Sequence, residues 1–169
     1  MTTFIGKGVR LMSTAAALTA TMAFAQMPVP ALDDAQARPQ AASAEHQLER
    51  LLRCEAGAGK LATQQAAVLF KSLGFTQKPG EFVAPKGKNI QLFGESVVNA
   101  DTGNGVGVIL KTRKEHELAK RLGFRKSDLD TSGEVAFYAK DMGNVRFTVT
   151  GKTSTGSGAV GTEVRCHWN

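Results

Sequence analysis

Two cysteines, one tryptophan and one tyrosine are few for a chain of 169 residues, and each scarcity removes a class of function. No C-x-x-C pair exists, so a thioredoxin-like redox site and the common zinc-ribbon and zinc-finger frameworks are excluded. The uncharged apolar run Leu11–Phe24, about fourteen residues, falls short of the ~20 needed to span a membrane as a helix, so no membrane span is expected. Basic runs interleaved with stacking aromatics are missing too, and the net charge of +6 is modest. Nucleic acid is therefore not the expected partner.

Phosphate and hydrolase motifs fail on spacing. Gly151-Lys152-Thr153 ends like a P-loop, but Arg146 occupies the position of its first glycine; in Gly57-Ala58-Gly59-Lys60 that position is Cys54. Gly103-Asn104-Gly105-Val106-Gly107 opens a strand pattern rather than a helix and reads as a hairpin turn. No G-x-S-x-G elbow occurs, and His46, His116 and His167 have no neighbours at ligand spacing. His167 reads as an exposed sheet position. Asp128, Asp130 and Glu134 cluster before a strand, as turn-forming acids do. Neither a metal nor a cofactor is expected, and the chain reads as a non-enzymatic protein, the alternative being an enzyme of unrecognised class whose carboxylates meet from distant positions.

The N-terminus carries its own signal. Lys7 and Arg10 precede an uncharged Leu11–Phe24 stretch, and Ala23-Phe24-Ala25 offers a small-x-small cleavage site. Residues 1–25 thus read as an export signal, giving a periplasmic or secreted protein. Cleavage there lowers the net charge by two. Residues 26–42, rich in Pro, Gln and Ala, read as a flexible leader before a compact domain over 43–169.

The domain contains one stretch twice. Thr63–Phe75 reads TQQAAVLFKSLGF and Thr112–Phe124 reads TRKEHELAKRLGF, agreeing at Thr, Leu, Lys, Leu, Gly and Phe. Thr63 and Thr112 are expected as N-caps, Thr112 with Glu115 as a capping box. Gly74 and Gly123 suit the left-handed residue that ends a helix, with Phe75 and Phe124 folding back on the last turn. Strand patterns follow at Glu81–Pro85, Ile90–Ala100 and Val106–Lys111, and again at Glu134–Asp141, Val145–Gly151 and Thr162–Trp168. The predicted fold class is α+β: two tandem αβββ units, 63–111 and 112–168, with antiparallel sheet and internal duplication.

Alternation assigns the faces. Val106, Val108 and Leu110, like Val145, Phe147 and Val149, should point at the helices, while Arg146, Thr148 and Thr150 face water. An extra helix over Ala44–Glu55, its stripe Leu48, Leu51 and Leu52, precedes the repeats and should end at Gly57 and Gly59. Cys54 on this helix and Cys166 on the last strand are expected to form a structural disulfide.

What remains is a binding role. Two polar stretches, Asn99–Gly105 and Lys152–Gly161, are expected side by side at one edge, offering Asn99, Asp101, Asn104, Lys152, Thr153, Ser154 and Ser157 to another envelope or secreted protein. This tandem order of helices and strands resembles that of secreted β-lactamase inhibitor proteins and, more loosely, small outer-membrane assembly factors, a likeness of element order rather than of motif. It implies an inhibitor or assembly partner of another protein. A second expectation is a small apolar or lipid-like ligand held among Phe70, Phe82, Phe93, Phe137 and Phe147.

Overall fold

The computed structural model describes residues 34–154 and 160–168; residues 1–25, expected as an export signal, lie outside the described residues. Three helices pack on one face of a nine-stranded antiparallel sheet. The helices are α1 (Asp34–Leu52), α2 (Lys60–Ser72) and α3 (Glu115–Arg121). The first half supplies β1 (Thr76–Lys78), β2 (Glu81–Val83), β3 (Gln91–Leu92), β4 (Glu95–Asp101) and β5 (Val106–Leu110). The second supplies β6 (Leu129–Asp130), β7 (Phe137–Met142), β8 (Val145–Ser154) and β9 (Val160–Trp168). Strand order is β1-β2-β4-β5-β9-β8-β7-β6, with β3 folded onto β4.

The repeated Leu-Gly-Phe is a repeated helix ending. Gly74 and Gly123 adopt φ of 92° and 82°. The amide of Phe75 bonds the carbonyl of Phe70 at 3.0 Å and that of Phe124 bonds Ala119 at 3.0 Å, the six-to-one bond of the Schellman motif. Both phenylalanines are buried, Phe75 on Phe70 and Phe124 on Phe147, so each motif also fixes where its helix meets the sheet.

The helix beginnings differ from expectation. α2 starts at Lys60 behind Gly59, and Thr63 lies inside the first turn, its hydroxyl donating to the Lys60 carbonyl at 2.7 Å. The helix-favouring Lys60-Leu61-Ala62 extends the helix past the residue expected to cap it. α3 starts at Glu115 behind Lys114, and Thr112 accepts from the Lys114 amide at 3.2 Å in a local turn. Thr112 therefore forms no capping box with Glu115.

α1 begins at Asp34 rather than Ala44, so it includes residues 34–42 that composition assigns to the leader; their Ala and Gln content favours helix. It also ends before Gly57. The amide of Glu55 bonds the Arg50 carbonyl at 2.9 Å around Cys54, which takes the left-handed φ of 61°. A cysteine in that conformation costs on the order of 1 kcal/mol or more.

Pairing settles the strands. The segment expected as one strand over Ile90–Ala100 is two, because Phe93 and Gly94, at φ of 55° and 76°, form a two-residue hairpin turn. The Glu49 carboxylate on α1 accepts the Phe93 amide at 2.6 Å, and the Arg53 guanidinium lies 5.3 Å from the Phe93 ring centroid. Short β1 and β6 were not anticipated, having too few residues to show alternation.

Alternation is obeyed on the covered face of the long strands, whereas Thr148, expected to face water, is buried at 2% exposure. Val106, Val108, Leu110, Val149, Val164 and Cys166 are all buried beneath the helices. Leu48, Leu51 and Leu52 of α1 join them, as expected, in one core drawn from both halves. Cys54 and Cys166 are bonded, their Cα atoms 5.4 Å apart, tying the end of α1 to the last strand. Gly105 lets the start of β5 lie close against β9: at φ of 127°, a Cβ there would clash with the Cys166 carbonyl oxygen.

Candidate binding face

The opposite face of the sheet bears polar side chains in cross-strand rows. Register sets Asp101, Gly107, Arg165, Thr148 and Ala139 side by side across β4, β5, β9, β8 and β7. The neighbouring row is Asn99, Ile109, Glu163, Thr150 and Phe137. Five strands drawn from both halves thus build one surface.

Arg165 is its centre. Glycine at 107 leaves room for the guanidinium to lie over β5; a Cβ there would stand 2.6 Å from Cζ. Across that gap Nη1 donates to Asp101 Oδ1 at 2.8 Å and Nη2 donates to Asp101 Oδ2, while Nε donates to Glu163 Oε1 at 2.7 Å. Side-chain exposure is 13% for Arg165, 29% for Asp101 and 18% for Glu163. Burial alone would depress the arginine pKa, but the hydrogen bond donated to Asp101 and the charges of Glu163 and Asp101 outweigh it and raise the value. The guanidinium is held charged and fixed, with two carboxylates for one cation.

Thr148 and His167 adjoin this cluster. The Thr148 hydroxyl is buried against the Arg165 carbonyl at 3.5 Å and against His167 Nε2 at 3.2 Å. Burial lowers the His167 pKa, assisted by Arg165 and Arg146 and opposed by Glu163 and Asp101. His167 is half-buried rather than fully exposed. Beyond it Arg146 forms two exposed hydrogen bonds to Asp141, at 2.6 and 3.0 Å. An open groove of about 520 Å³ runs along these residues, with Asn104, Phe137 and Trp168 on its walls.

The charge of the face differs from that of the molecule. By register Glu81, Asp101, Asp130, Asp141 and Glu163 share it with Lys78, Arg146 and Arg165, an acidic excess in a chain of net charge +6. Glu81 also accepts a hydrogen bond from the buried Asn99 amide at 2.5 Å.

The residues expected in the two loops disperse. Asn99 and Asp101 belong to β4 and to this face, and Asn104 lies in the following turn on the groove wall. Thr153 pairs with Gly161 in the β8–β9 hairpin and donates to the Thr150 carbonyl at 3.3 Å. Lys152 and Ser154 lie on β8, and Ser157 lies outside the described residues. The loops are not neighbours. β5 and β9 are antiparallel, with Val106 opposite Cys166 and Leu110 opposite Thr162, so the turn over 102–105 and the Ser154–Val160 pair of β8 and β9 lie at opposite ends of the strands.

The expected apolar ligand set is split by the sheet. Phe70, Phe82 and Phe147 are buried in the core, the first two with ring centroids 5.3 Å apart, whereas Phe137 faces the open groove. Among the described residues no group of three or more His, Cys, Asp or Glu is placed to hold a metal ion, and no helix is long and apolar enough to cross a membrane. The chain matches no family model, no curated protein sequence and no solved structure.

The importance of Arg165, Glu163 and Gly107 was missed by sequence reasoning. Their outward phase is legible in the alternation of β5 and β9. Their meeting with Asp101 is not, because it depends on which strands become neighbours.

Proposed function

We propose that this is a small exported, non-enzymatic binding protein of the bacterial envelope that docks another protein on the open face of its sheet, acting as an inhibitor or assembly partner. The occupant is a loop of that protein carrying lysine or arginine, matching the acidic excess of the face. The observation that carries this reading is the Asp101–Arg165–Glu163 cluster. Desolvating three charges is costly, and a surface with no partner gains little from fixing them. A binding face does gain, because polar groups held in place before contact lose less freedom on association.

An exported location is supported by the disulfide, which persists in oxidising compartments. Internal duplication is supported by the strand order, which runs outward from the β5–β9 contact through matching strands to a short hairpin at each edge. The shared Schellman endings of α2 and α3 support it as well.

The test is capture from envelope and medium with the oxidised protein, beside Thr150→Arg, which adds bulk and positive charge to the groove without entering the core. The expected result is one stoichiometric protein, bound by an excess of basic residues, whose affinity falls at least tenfold in Thr150→Arg and weakens with salt. Undiminished binding by Thr150→Arg would reject the open face as the docking surface.

A further inference from the structure

A positively charged surface lies away from the open face, in a groove of about 710 Å³ between the start of β4, the end of β5 and α3. Five cations line it: Lys111, Arg113, Lys114, Lys120 and Arg121, against Glu95 and Glu117. Arg121 is held by Glu95 at 2.5 Å, and Lys114 is paired with Glu117 at 3.5 Å. Lys111, Arg113 and Lys120 have no ion-pair partner among the described residues. Three uncompensated cations thus converge on one concavity whose floor is fixed by the Arg121–Glu95 pair.

These charges are not required by the helix. In the gapless alignment of the two repeated stretches, the residues shared by both include the buried Leu118, Leu122 and Phe124 and the glycine of the helix ending. Where the second stretch has Arg113, Lys114 and Arg121, the first has Gln64, Gln65 and Ser72. At these three positions the same scaffold is built with neutral residues in one copy and cations in the other, while Lys120 aligns with Lys71, so folding does not require Arg113, Lys114 or Arg121 to be charged.

We infer that this groove binds a multiply charged phosphorylated group, presented either by a lipid surface or by a soluble molecule. Arginine offers paired N–H donors to phosphate oxygens and lysine a mobile point charge, and the groove contains both. A single carboxylate would leave most of its positive charge unmatched. Its volume also falls in the ~300–1,000 Å³ range of ligand sites, and every residue lining it except Thr112 is charged.

The test compares the oxidised protein with the variant Lys111→Gln/Arg113→Gln/Lys120→Gln, which spares Arg121 and its partner. Inorganic tripolyphosphate in titration calorimetry probes the soluble source. Co-sedimentation with vesicles of equal parts phosphatidylglycerol and phosphatidylcholine, against phosphatidylcholine alone, probes the lipid source. Each basic side chain near an anionic surface changes partition about fivefold, so the triple variant is expected to lose about a hundredfold in affinity for whichever probe binds. Binding of either probe, lost in the variant and weakened by salt, supports the site and identifies its source. Absence of binding to both at low salt, or equal binding by the triple variant with an unchanged melting temperature, overturns it. Thr150→Arg on the opposite face leaves this binding unchanged, so the two readings fail separately.

Discussion

Val164 and Arg165 are adjacent on one strand and perform opposite work. Val164 is fully buried beneath the helices, where its role is apolar contact with a core drawn from both halves. Arg165 points the other way, where its role is a fixed charge between two carboxylates. One face is specified by volume and hydrophobicity and tolerates few changes of size. The other is specified by hydrogen-bond geometry and by the missing side chain of Gly107. The comparison teaches that stability and recognition are carried by alternate residues of the same strands, so they can be disturbed separately.

Covered-face changes should produce the largest effects. Replacing Cys54 and Cys166 together by serine opens a link with a sequence separation of 112, worth about 4–5 kcal/mol in chain-entropy terms. A lower denaturation midpoint than the oxidised protein, matched by adding reductant to the parent, is the expected outcome; an unchanged midpoint would show that the bridge contributes nothing. Phe70→Ala empties a site in contact with Phe75 and Phe82 and should cost about 3–4 kcal/mol by chemical denaturation. A loss below about 1 kcal/mol would mean that this part of the core collapses around the change.

Open-face changes should be smaller and of another kind. Arg165→Met leaves Asp101 and Glu163 facing each other without their cation, an expected loss of about 1–3 kcal/mol given their partial exposure. Adding a Cβ at the bridging glycine, Gly107→Ala, should displace the guanidinium and weaken partner binding more than it lowers stability. If Gly107→Ala costs stability as heavily as Phe70→Ala, the division between the two faces is wrong.

The smallest effect concerns pH. Burial, with the charges of Arg165 and Arg146, holds the His167 pKa below its ordinary 6.5. The unfolded chain therefore takes up this proton first as pH falls. The contribution of neutral His167 is complete above 6.5 and is lost as pH drops through 6.5 toward the folded value. An imidazole NMR titration should show a midpoint below 6.5, and His167→Gln should flatten the acid side of the stability profile. A midpoint above 6.5 would contradict the buried contact with Thr148.

Features legible in the sequence were those decided within a few residues. Leu73-Gly74-Phe75 and Leu122-Gly123-Phe124 form the expected endings because glycine alone reaches the left-handed conformation without a Cβ clash and the next residue is apolar. Thr63 misled because a threonine that caps a helix and one that bonds back within its first turn look identical in sequence. Phe93-Gly94 was hidden inside a strand pattern because phenylalanine is an unusual residue for positive φ, and its amide is held there by Glu49 from a distant helix. The two polar stretches were expected side by side, whereas antiparallel pairing of β5 with β9 reverses one relative to the other.

By itself, then, the sequence determined the period-two division of Val145–Thr150 between two faces, the helix endings and the cysteine residues available for one bridge, all properties of local backbone geometry and residue type. Tertiary structure alone decided that β5 lies between β4 and β9, and so that Asp101, Gly107 and Arg165 meet in one row. Local energies act over a few bonds, but strand register comes from burying the apolar faces of both halves at once, and the candidate binding face is the reverse side of that solution.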